Sequence, residues 1–132
     1  MKKTNLPPLI LTFVPGKENT PFEIAVKFVE ALAQHDSESV FNLLADKKFG
    51  KEIVNELLKA WKNEPEKTAY YPEKCEEIST EIDNDKAYVT FFDHNLIKGK
   101  EFGKNKTILH KINGIWHVCY GEMFMAAWNG KL

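Results

Sequence analysis

His110, His117 and Cys119 are the side chains best spaced to share a cation. They flank Asn113-Gly114, the strongest short hairpin signal. A two-residue turn there sets Ile112 against Ile115, Lys111 against Trp116, His110 against His117, Leu109 against Val118, and Ile108 against Cys119. Opposed residues have Cβ atoms about 5 Å apart, close enough for one metal, with Cys119 as a diagonal third ligand. The plainer expectation is two histidines bonded to neighbours on a half-covered sheet face, because a zinc site asks for three or four supported ligands. A second chemistry is proton transfer. Asp93 continues the face of Val89 and Phe91, and Tyr120 shares a face with Leu109, Trp116 and Val118. A carboxylate and a phenol turned into an apolar pocket can serve as general base and oxyanion donor. Trp61, Tyr71, Phe91, Leu109 and Trp116 are expected to line that pocket. The alternative is that Asp93 opens a loop over 93–100 and bonds its own backbone, while Tyr120 is an ordinary core tyrosine.

These residues need elements to position them. Leu9–Val14 reads as the apolar part of an extended arm over 1–16, turned at Pro15-Gly16. The run is short and broken by Pro7-Pro8, so an arm docked on the domain is expected ahead of a secretory signal, which is the alternative. Residues 17–132 form one domain. Thr20-Pro21-Phe22-Glu23 is a capping box with proline at the first helical position. Ile24, Phe28 and Leu32 then make one apolar stripe, with Ala25 and Val29 beside it. Asp36 or Ser37 caps a short second helix through Val40, Leu43 and Leu44. A third helix is expected from about Lys48 to Lys62, ended by Pro65. After Pro72 the period changes to two. Ile78, Thr80 and Ile82 alternate with Glu77, Ser79 and Glu81, Asp83-Asn84-Asp85 turns, and Ala87, Val89 and Phe91 return. Glu101–Ile112 and Ile115–Glu122 complete about four antiparallel strands. Helices first and strands second mean α+β, with the helices packed on one antiparallel sheet.

The last hairpin has a second face, Ile108, His110, Ile112, Ile115 and His117, too apolar for open solvent. The arm, a second subunit, or both should cover it, so a homodimer is expected through that face. Tyr70-Tyr71-Pro72 and the tail Met123–Trp128 are further aromatic patches for a pocket rim or a partner.

Composition excludes more than it assigns. The 132 residues carry a net charge of −1, without the basic excess that nucleic acid or an anionic membrane surface requires. No stretch approaches the roughly 20 apolar residues of a membrane span. All 18 basic residues are lysine, so no site rests on the arginine fork. The two cysteines form no Cys-x-x-Cys motif, and no cofactor motif is present. A cytoplasmic protein is expected.

The capped helix Thr20–Gln34, the short helix opened by Asp36-Ser37, and the pair Ile108–Val118 with Asn-Gly at its turn occur in a telling order. Over residues 18–122 this resembles the nuclear transport factor 2-like (cystatin-like α+β) superfamily, especially its small bacterial branches. The resemblance implies a sheet wrapped round helices as a cone with a pocket, and often a homodimer. It implies no single function, because members include binding proteins and enzymes. The expectation is a non-catalytic binding domain with a small apolar pocket or surface patch. The alternatives are a small lyase, isomerase or hydrolase using Asp93 and Tyr120, and a protein-interaction module such as a toxin antagonist or assembly subunit.

Overall fold

Helix α1 (Pro21–Ala33) starts at the capping box. The Glu23 N–H donates to Thr20 Oγ1 at 3.2 Å, and the Thr20 N–H donates to Glu23 Oε1 at 2.8 Å. In a computed structural model of the chain, the residues described are 12–45, 69–97 and 99–119, with Glu52, Asn55 and Glu56. The third helix expected over 48–62 is described at those last three residues alone, all of them helical. α1 buries Ile24, Phe28 and Leu32 with Ala25 and Val29, as the stripe predicts, and Val26, Ala31 and Ala33 as well. It ends in a Schellman turn, with the Asp36 N–H bonded to the Ala31 carbonyl at 2.9 Å. His35 takes the left-handed position there, with φ 56°.

Helix α2 (Ser37–Leu43) is capped by Asp36, which accepts from the Ser39 N–H at 3.1 Å and from the Ser39 hydroxyl at 2.6 Å. The same hydroxyl oxygen accepts from the Phe13 N–H at 2.7 Å, and Asn42 Nδ2 donates to the Phe13 carbonyl at 3.3 Å. Phe13 thereby packs on the core. The turn that follows is closed by Asn19, whose N–H reaches the Gly16 carbonyl at 3.1 Å.

Four antiparallel strands follow as a meander in the order β1-β2-β3-β4. They are β1 (Cys75–Asp83), β2 (Lys86–Ile97), β3 (Lys100–Ile112) and β4 (Ile115–Val118). The fold is α+β, two helices on an open antiparallel sheet. The last hairpin has the register that Asn113-Gly114 predicts, His110 opposite His117 included. Ala87, Val89 and Phe91 of β2 share the buried face with Leu109, Trp116 and Val118, against α1.

One expectation is corrected. Residues 93–100 are not a loop: β2 continues to Ile97 and β3 begins at Lys100, with Gly99 at φ 79° in the turn. The strands stay paired through a register shift between Asp93 and Leu96. The alternation Ile78/Thr80/Ile82 does not become core. A bulge falls between Glu77 and Ser79, and Ile78 and Ile82 are 54% and 58% exposed. β1 is an edge strand, so period two places its side chains without burying them.

Candidate functional site

The inward face of β2 turns polar at its end. Ala87, Val89 and Phe91 are followed by Asp93 and Asn95, each 1% exposed. The register shift after Asp93 lets both reach the short segment before β1. Tyr70 lies there, with Tyr71, a single turn of 3-10 helix at Pro72–Lys74, and Cys75 at the start of β1.

The Tyr70 hydroxyl donates to Asp93 Oδ2 at 2.5 Å and lies 3.1 Å from Cys75 Sγ. Asp93 Oδ1 accepts from the Asn95 backbone N–H at 2.9 Å and from Asn95 Nδ2 at 2.8 Å. Asn95 also bonds both backbone groups of Tyr71. Its Oδ1 accepts from the Tyr71 N–H at 2.7 Å, and its Nδ2 donates to the Tyr71 carbonyl at 2.9 Å. The Tyr70 ring is edge-on to Phe102 at 5.8 Å, and Phe22 is edge-on to Phe91 at 5.8 Å.

Burial dominates the electrostatics. It pushes the Tyr70 phenol far above its ordinary range, and the bond to Asp93 adds to the effect. Burial pushes the Cys75 thiol up to about 11, against the hydrogen bond with Tyr70 that works the other way. At neutral pH the phenol is therefore a donor and the thiol is protonated, so Cys75 is not a thiolate nucleophile. On the outer face His94 Nδ1 is 2.8 Å from Glu101, which raises its pKa, and Glu76 lies 3.6 Å from Nε2.

The residues singled out from sequence are thus placed as follows. Asp93 faces inward, and its phenol partner is Tyr70. Tyr120 and Trp61 lie outside the described residues. Phe91 and Leu109 have no solvent exposure, Trp116 is buried, and Tyr71 is half exposed. Two clefts instead run along α1. One of about 330 Å³ is lined by Phe13, Lys27, Glu30 and Ser39 among others. One of about 230 Å³ is lined by Phe22, Val26, Lys27 and Pro72 among others. His110 and His117 are opposed and half buried, and His117 Nδ1 lies 3.0 Å from the Ile115 carbonyl. Among the described residues no three His, Cys, Asp or Glu side chains are placed to hold a metal, His110, His117 and Cys119 included. Neither described cysteine is in a disulfide. Of the remaining outer-face residues, Ile112 is exposed, Ile115 is half buried, and Ile108 and Cys119 are buried within the single chain. Among the described residues no helix is long and apolar enough to cross a membrane.

Sequence reasoning missed Asn95, and it set Tyr70 on a pocket rim or partner surface rather than on Asp93. The signal for Asn95 was present: it stands two residues after Asp93, in phase with Val89 and Phe91. Tyr70 left none beyond its nearness to Pro72, because its contact spans 23 residues.

No protein-family model matches this chain, and no curated protein matches it. Its structure is similar to a crystal structure from Campylobacter jejuni described as a candidate NTF2-like transpeptidase. The TM-score is 0.54 at 18% identity, over 76% of this chain and 98% of that one. At that identity the likeness speaks for the fold alone, and the fold is nuclear transport factor 2-like.

Proposed function

We propose that this chain is a non-catalytic binding domain that works through its surface. The burial of Asp93 and the three hydrogen bonds it already accepts carry the reading. One carboxylate oxygen is taken by Tyr70 and the other by two donors of Asn95, with the group 1% exposed. A general base needs a lone pair within reach of a substrate proton. Asp93 instead acts as a cross-link that ties the segment before β1 to β2. The burial of Phe91, Leu109 and Trp116 supports a filled interior, and therefore a surface patch over a pocket. The homodimer belongs to the same proposal. Its contact lies on the outer sheet face, where Tyr88 and Ile112 are exposed.

Native mass spectrometry of the purified protein and of Asp93→Asn tests this. The expected result is a dimer with no retained small molecule for both proteins, the variant melting at a lower temperature. A small molecule held by the wild type and lost from a folded Asp93→Asn would overturn the reading, because Asp93 would then be touching a ligand.

A further inference from the structure

We propose that the outer edge of β1 takes up an extended, basic segment of a partner protein as an added strand. The proposal deepens the binding reading by naming its surface and the partner's chemistry. Among the described residues β1 pairs with β2 alone. Among the described residues no backbone bond from Glu76–Asp83 runs to any other segment. A row of unpaired N–H and C=O groups is a template for strand addition.

The side chains decide what can be added. Glu76, Glu77, Glu81 and Asp83 put four carboxylates along one strand, and Ile78 and Ile82 stand more than half exposed between them. Glu81 makes no hydrogen bond or ion pair among the described residues, and Asp83 meets only the neighbouring Asn84 amide. A second copy of β1 is a poor occupant. Of the five antiparallel registers that pair at least seven of its nine residues, four set Glu76 or Glu77 against Glu81 or Asp83, and only the one centred on Ile78 avoids it. Like charges directly opposed are unfavourable. Lysine or arginine alternating with aliphatic residues reverses that sign and covers the two isoleucines.

The probe is a seven-residue peptide of alternating lysine and valine, capped at both ends. The first control carries N-methyl groups at alternate residues, which removes its donors on one edge. The second replaces each lysine by glutamate. The expected result is saturable binding, with amide exchange slowed along Ser79–Asp83. N-methylation should weaken the Kd by about tenfold or more, since each lost backbone bond is felt directly. The doubly reversed variant E81K/D83K alters exposed side chains only. It should weaken the Kd by about tenfold and flatten its salt dependence. Equal binding of the methylated peptide would overturn the proposal, leaving charge attraction without strand pairing. Absence of binding at millimolar peptide would overturn it too, and β1 would then be an edge guarded by its charges. Either failure leaves the non-catalytic reading intact, which stands on Asp93.

Discussion

At the β4 edge the chain supplies its own next neighbour; at the β1 edge the described residues supply none. Leu44 forms a parallel bridge to Val118, and the Ala45 N–H donates to the Val118 carbonyl at 2.8 Å. Leu44 and Val118 are both fully buried there. β1 has a bulge, four acidic side chains and two exposed isoleucines. A sheet edge can thus be closed by backbone brought from far along the sequence, or protected by charge and irregularity. The first route adds core; the second leaves a surface that a partner can use.

The comparison is broken most forcefully at the closed edge. Leu44→Ala removes a fully buried side chain and should cost about 2–5 kcal/mol in urea unfolding. A loss below about 1 kcal/mol would mean that the bridge closes nothing. Next is the clamp at the entry to β1. Asn95→Ala strands the Tyr71 N–H and carbonyl and takes one of two donors from Asp93 Oδ1, the backbone N–H of residue 95 remaining. It should cost about 1–3 kcal/mol and speed amide exchange from Tyr71 to Glu77. Unchanged exchange there would show that β1 is held by its pairing with β2 alone.

A smaller effect depends on pH. The Cys75 thiol, at the first position of β1, keeps its proton to higher pH in the folded chain than in the unfolded one. Its contribution is therefore complete below its ordinary 9.0 and fades as pH rises through about 11. The Tyr70 phenol acts in the same direction. Thermal melts from pH 8 to 11 should fall less steeply for Cys75→Ala than for the wild type. Parallel curves would remove the thiol from the account. The smallest change is Ile82→Ser on the open edge, expected within about 0.5 kcal/mol. A large loss there would mean that Ile82 packs after all.

How much of this was legible depends on how local each signal is. The Asn113-Gly114 turn carries its own register, and Thr20 with Glu23 forms a cap within four residues, so both stand where the sequence places them. The inward turn of Asp93 was legible from period two. Its partner was not, because Asn95 was hidden behind an expected loop and Tyr70 meets β2 only through the tertiary fold. The two edges were equally opaque. Alternation marked Ile78 and Ile82 as an apolar face, yet whether a face is covered depends on what packs across it. The bridge from Leu44 to Val118 leaves no period in either segment.

The Ser39 hydroxyl is shared between two parts of the chain. It accepts from the Phe13 N–H and donates to the Asp36 cap of α2. Segment and helix are therefore cooperative neighbours: each orders a group that the other needs. Cleavage between Phe13 and Val14 would free the Phe13 donor from the domain and act on α2 as well, loosening a helix start more than 20 residues downstream. Limited proteolysis near the N-terminus would thus be registered in the helical layer first, with the sheet as bystander.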